Sequence, residues 1–184
     1  FIGIVNTSSQ NTSAVSVSGN SINNVTTLNT AGSSGNFTGI TYTNNYLSSA
    51  TASLVENFMG SINYAGRGTF SCLIVNPAEA SAMSAVIANN RFESLNSSNA
   101  LGGAFSGIYC NKGNASISGN RIGKYSTAND INMAGSGTHY GIRLERNLSG
   151  NGLVSSDTIA NINFTGSSNS NVVYGIYAST NGST

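Results

Sequence analysis

The chain of 184 residues has no Trp, one Pro, one His and two Cys, and only 13 of its residues are charged, 7 Lys or Arg and 6 Asp or Glu. That is 7%, against roughly 25% in ordinary soluble domains. Each shortage excludes something. With His139 as the sole imidazole, neither a His-based metal site nor a Ser-His-Asp arrangement has the usual partners, and no metal or cofactor is expected. A net charge of +1 provides no clustered cations for nucleic acid or an acidic membrane. No apolar run approaches the roughly 20 residues that cross a bilayer, and no signal peptide opens the chain at Phe1. Strong helix formers are too scarce to propagate helices.

What is abundant is small and polar: 28 Asn, 22 Gly and 47 Ser or Thr make up more than half the residues. Such a composition approaches that of disordered chains, yet 39% of the residues are hydrophobic, enough for a core if the pattern places them well.

The pattern is a repeat. An aromatic residue followed by Gly and Ile recurs at Phe37-Gly39-Ile40, Phe105-Gly107-Ile108, Tyr140-Gly141-Ile142 and Tyr174-Gly175-Ile176, with Gly3-Ile4 at the start and Phe70-Cys72-Leu73 as a drifted copy. The aliphatic anchors stand at 4, 40, 73, 108, 142 and 176, a period near 34. A second element of nine residues lies inside each unit: Val17–Asn20–Ile22–Val25, Leu54–Asn57–Met59–Ile62, Ile87–Asn90–Phe92–Leu95, Ile117–Asn120–Ile122–Tyr125 and Val154–Asp157–Ile159–Ile162. The intervals between these elements vary, as loops between structured rungs would.

Val17 and Ile22 are five apart, so a continuous strand would point them to opposite faces. Both positions are apolar in every copy, and the chain must therefore turn between them, at the Gly19–Asn20 step. Ile22 and Val25 are three apart, which implies a second bend. Short strands joined by corners, all pointing apolar side chains inward, predict an all-β fold: a single-stranded parallel β-helix of about five coils over residues 1–184. The coils start near residues 1, 37, 70, 105, 139 and 174, and the whole reads as a segment of a longer array whose partners include neighbouring coils of the same chain. Stacking at about 4.8 Å places Asn20, Asn57, Asn90, Asn120 and Asp157 in one row. Asn tolerates left-handed corners, and its amide donates and accepts, so the row predicts a hydrogen-bonded ladder. Asp157 is expected at its open end or bonded to backbone amides. Six anchors and three apolar positions in each of five motifs predict 21 inward residues, Tyr125 among them.

The strings GIYCNKGNASISGNRIG and VYGIYAS, with loops such as TAGSSGN and NMAGSGT, resemble right-handed parallel β-helix repeats of bacterial extracellular proteins. More narrowly, they are similar to the large surface repeat proteins of Bacteroidetes, many of which use type IX secretion. The resemblance implies right-handedness, an extracellular or cell-surface location, and roles ranging from adhesin and stalk to polysaccharide-degrading enzyme.

Among residues with chemistry, Cys110 should point inward with Val75 and Leu144, while Cys72 should face the other way. His139 is expected at the surface beside Tyr140. The acids Glu56, Glu79, Glu93, Asp130, Glu145 and Asp157 form no stack of carboxylates of the kind glycoside hydrolysis needs. One residue after each anchor should face outward, as a column of Val5, Thr41, Ile74, Tyr109, Arg143 and Tyr177. Within it Tyr109, Arg143 and Tyr177 are the candidate glycan-contact surface, with Lys112, Glu145 and Arg146 close by and Arg143 between two tyrosines. The expected function is a non-catalytic, extracellular, structural or adhesive repeat that presents surface loops to a polysaccharide or cell-surface ligand. The alternative is a polysaccharide-active lyase or hydrolase, or a glycan-binding β-helix.

Overall fold

The turn between Val17 and Ile22 is made at Gly19, where φ is +64°, and its counterparts Glu56, Asn89, Gly119 and Ser156 have φ of 57°, 56°, 66° and 58°. Left-handed geometry thus belongs to the residue before the ladder position, and the ladder Asn is left to hydrogen-bond. The second bend has the same cause: Asn24, Ser61, Ser94 and Asn161, each just before the last apolar residue of its motif, have φ between 53° and 55°.

A computed structural model describes residues 1–8, 14–28, 35–44, 51–77, 83–146, 152–166 and 171–180. Its first coil contains β1 (Ile2–Ser8), β2 (Val15–Ser18) and β3 (Ser21–Thr27), and the second β4 (Phe37–Asn44), β5 (Thr51–Val55) and β6 (Phe58–Tyr64). The third has β7 (Phe70–Pro77), β8 (Ser84–Ala88) and β9 (Arg91–Ser97). The fourth has β10 (Phe105–Asn111), β11 (Asn114–Ser118), β12 (Arg121–Ile122) and β13 (Ile131–Met133). The fifth has β14 (Thr138–Arg146), β15 (Gly152–Ser155), β16 (Thr158–Ile159) and β17 (Ile162–Phe164), after which comes β18 (Val172–Thr180). There is no helix among the described residues.

Every strand pairs in parallel with its counterpart one coil away. The first sheet runs β1-β4-β7-β10-β14-β18, the second β2-β5-β8-β11-β15, and the third carries β3, β6 and β9 before dividing into β12-β16 and β13-β17. This is the parallel β-solenoid read from the repeat. It completes about four turns, slightly fewer than the five coils expected, and β18 extends only the first sheet. All six anchors fall in register: Ile4, Ile40, Leu73, Ile108, Ile142 and Ile176.

The ladder has a direction. The backbone N–H and side-chain Nδ2 of Asn20 both donate to Asn57 Oδ1 (3.2 and 3.0 Å), those of Asn57 to Asn90 Oδ1 (3.0 and 2.9 Å), and those of Asn90 to Asn120 Oδ1 (3.0 and 2.9 Å). Asn120 completes the row on Asp157 Oδ1 at 2.7 and 2.8 Å. The second Nδ2 proton of Asn57, Asn90 and Asn120 goes back to the carbonyls of Val17, Leu54 and Ile87. Asn57, Asn90 and Asn120 are almost wholly buried, so these bonds satisfy groups that water cannot reach.

Three inward assignments change. Tyr125 is 85% exposed. Ile131 takes its place, opposite Leu95 and Ile162, because nine positions separate Ile122 from Ile131 where three separate Phe92 from Leu95. The six extra residues form an excursion anchored by buried Asp130, whose Oδ2 accepts the backbone N–H groups of Ser94 and Lys124, both at 2.9 Å.

Cys72 also faces inward and is fully buried. The first-sheet strands change parity beside the recurring glycine, so that Gly39 and Ile40, adjacent in sequence, are both buried. A Cβ on Gly39 would lie 2.6 Å from Met59 Sδ, and one on Gly107 2.7 Å from Ile122 Cδ1, which shows these glycines pressed against the third sheet. Cys72 occupies that position in the third coil.

His139, expected at the surface, is fully buried. Phe1, Phe37, Phe70 and Phe105 stack along the axis with centroids 4.9, 4.6 and 6.0 Å apart. Ser106 pairs with Tyr140, so His139 is the next member of that interior row. Tyr140 and Tyr174, grouped with these phenylalanines by the repeat, stand one position later and point outward. The spacing already differs: Phe37 and Phe105 precede the anchor by three residues, Tyr140 and Tyr174 by two.

Candidate ligand surface on the first sheet

Outward residues of the first sheet form two adjoining columns. One is the expected series Val5, Thr41, Ile74, Tyr109, Arg143 and Tyr177, in register throughout. The other, three residues earlier on each strand, runs Ile2, Thr38, Ser71, Ser106, Tyr140 and Tyr174. The last members of both columns are aromatic or cationic, and parallel stacking brings them together.

Arg143 is the centre of this group. Its guanidinium lies 4.6 Å from the Tyr109 ring centroid and 4.7 Å from that of Tyr140. Arg143 is therefore between two tyrosines, as expected, but the second is Tyr140. Tyr177 instead meets Tyr140 and Tyr174 edge-on or tilted, at 5.4 and 5.2 Å, while Tyr140 and Tyr174 stack at 5.6 Å with planes 12° apart. Tyr140 and Tyr174 are thus surface members that the column reading missed. The two-residue spacing to the anchor was the signal for them.

Glu145 holds the cluster in shape. Its Oε1 accepts from Arg143 Nε at 3.0 Å and Nη2 at 2.6 Å, and its Oε2 accepts the Tyr109 hydroxyl at 2.8 Å. Burial, the bond to Glu145 and the charge of that carboxylate push the Tyr109 hydroxyl up to about 12. Burial works against the charge of Arg143, yet Glu145 raises its pKa overall. Both groups keep their protons at neutral pH. The Arg146 side chain lies outside the described residues, as does Glu79.

Beside the cluster is a groove of about 320 Å³ with Ser71 and Ser106 at its base and Ile74, Tyr109, Tyr140 and Arg143 around it. The other described acids are engaged elsewhere or stand alone. Glu93, buried, is bridged by Arg91 at 3.0 Å and Arg121 at 2.7 Å, Asp130 anchors its excursion, and Glu56 is exposed at a corner. No group of three or more His, Cys, Asp or Glu that could hold a metal ion occurs among the described residues.

A second Asn row went unread in the sequence. Asn63, Asn96, Asn132 and Asn163 are in register on the third sheet and point outward, with Asn96 Nδ2 donating to Asn63 Oδ1 at 3.4 Å and Asn163 Nδ2 to Asn132 Oδ1 at 3.2 Å. Its signal is an Asn directly after the last apolar residue of a motif, interrupted in the fourth coil by the excursion.

No protein-family model, no curated protein and no solved structure matches this chain.

Proposed function

We propose that the chain is a non-catalytic, extracellular stretch of a longer adhesive rod, of the kind its strings resemble in large Bacteroidetes surface proteins. The observation that carries this reading is the combination of an axial ladder with an outward cluster confined to one sheet. Buried Asn rungs lend rigidity along the axis without covalent links, and coils stacked in register present side chains at fixed spacing, which suits repeated contact with an extended ligand. Further coils stacked on β18 would continue the same rows.

Polysaccharide cleavage has less support. Glu93, Asp130 and Glu145 each have their carboxylate oxygens occupied by cations or hydrogen-bond donors, whereas glycoside hydrolysis needs one free carboxyl and one free carboxylate flanking the sugar.

The test is surface shaving. Intact cells making the parent protein are treated with protease and probed with antibody against this segment. Loss of the epitope, together with a parent chain many times the 18.8 kDa of the segment, is the expected result. A protected epitope would overturn the reading.

A further inference from the structure

We propose that the groove on the outer face of the first sheet binds neutral pyranose units of a polysaccharide. The inference rests on the adhesive reading and names the ligand class of its surface.

The argument begins with one column. Thr38, Ser71, Ser106, Tyr140 and Tyr174 occupy the same position on successive coils. Three small hydroxyl residues are followed by two large rings, so the column rises abruptly at Tyr140. The result is a trough with hydroxyls on its floor and the Tyr140 side chain at its end. Ile74 and Tyr109, from the adjoining column, form the flank, and the volume of this open groove is about 320 Å³. Ligand sites of about 300 Å³ and more are the usual size for small molecules, and a sugar ring fits within one.

A pyranose has an apolar C–H face and a rim of hydroxyls. Ring and aliphatic walls at Tyr140, Tyr109 and Ile74 match the first, and the Ser71 and Ser106 hydroxyls, which both donate and accept, match the second. Tyrosines fixed by mutual contact lose little entropy when a ligand arrives. Tyr140 is held in this way by Tyr174, Tyr177 and Arg143.

Charge selects the neutral class. Arg143 is the cation lining the groove, and two of its nitrogens are already directed at Glu145 Oε1. Glu145 neutralises it within hydrogen-bond distance, so a uronate or sulfate would meet no net positive charge. A single-stranded nucleic acid could stack on the same rings, but its phosphates need a row of cations, and among the described residues that line the groove Arg143 is the one cation.

Affinity electrophoresis of the 184-residue chain tests this, in gels containing hydroxyethylcellulose, xyloglucan, glucomannan or galactan as neutral probes and polygalacturonate as the acidic one. Wild type is expected to be retarded by at least one neutral probe, insensitively to salt. Tyr140→Phe should retain this, and Tyr140→Ala should weaken it about tenfold. Ser106→Tyr fills the trough with a residue the same column carries one coil later, and should abolish retardation while leaving Tyr140 in place. Circular dichroism and thermal melts establish that each variant is folded. Absence of retardation by every neutral probe would overturn the proposal, as would equal retardation of Ser106→Tyr and wild type. Retardation by polygalacturonate alone, lost in salt, would also overturn it. None of these results alters the outcome of surface shaving, so the two readings fail separately.

Discussion

His139 Nδ1 accepts the backbone N–H of Phe105 across one coil step, at 3.1 Å, inside the aromatic row of the core. An accepting Nδ1 places the ring proton on Nε2, in the neutral form. Burial lowers the imidazole pKa from its usual 6.5, partly offset by the Asn171 side chain, and the Phe164 ring packs on its other side at 4.3 Å. Both neighbours are uncharged. Because the folded pKa lies below the unfolded one, this group's contribution is fully present above about pH 6.5 and is lost as pH falls towards the lowered value. His139→Phe keeps a ring in the row but leaves the Phe105 N–H unpaired, at a cost of about 1–3 kcal/mol near neutrality. Urea unfolding at several pH values should show the gap between wild type and His139→Phe narrowing as the solution is acidified. A gap independent of pH would contradict the assignment.

The polarity of the ladder makes Asn and Asp unequal along it. Asp157 needs only to accept from Asn120, and it does so through Oδ1, but its Oδ2 is buried without a hydrogen-bond partner. In earlier coils the equivalent atom is an Nδ2 that donates to a carbonyl one coil back. Asp157→Asn supplies that donor and should stabilise by about 1 kcal/mol, raising the melting temperature by about 2–4 °C. Asn90→Asp should do the reverse by about 2 kcal/mol or more, since it deprives Leu54 O of its donor and opposes two acceptors at Asn120. Equal effects of the two exchanges in a thermal melt would refute a directional ladder.

The excursion after Ile122 depends on Asp130. Its two carboxylate oxygens accept from the Ser94 N–H and hydroxyl and from the Lys124 N–H. Asp130→Ala removes all three bonds while leaving the stacked strands intact. Trypsin should then cut after Lys124 several-fold faster than in wild type, with mass spectrometry locating the cut. Unchanged cleavage would mean that the excursion is held by other contacts.

Both thiols are free and buried. Burial raises Cys72 well above its ordinary value and pushes Cys110 up to about 12, so neither is a thiolate at neutral pH. An Ellman titration should find almost no reactive thiol in the native protein and two after denaturation in guanidinium. Rapid native reaction of either would place it at the surface.

The sequence by itself determined the architecture, because a solenoid is built from local rules repeated. A corner at each ladder position, a second bend before the last apolar residue, and inward residues at fixed offsets are written within nine-residue windows, although the left-handed angle falls on the residue before the ladder position and not on the Asn to which the sequence assigned it. Stacking adds only a register that the anchors already carry. The five-member ladder and the column through Tyr109, Arg143 and Tyr177 were legible for that reason.

Tertiary structure decided what depends on contact between sheets or on insertions. The parity change beside Gly39 turned Cys72 inward, since only the approach of the third sheet reveals which face that glycine occupies. A six-residue excursion expelled Tyr125 and installed Ile131, a substitution that residue counting cannot distinguish from a longer loop. His139 entered the core because the Phe row needed a member there and Phe105 supplied an N–H for it to accept. Tyr140, one position away, was left outside, where Arg143 reaches it across the strand face in preference to its register partner Tyr177. A side chain's neighbours on a sheet are set by rotamers and packing in three dimensions, while sequence spacing specifies only its row.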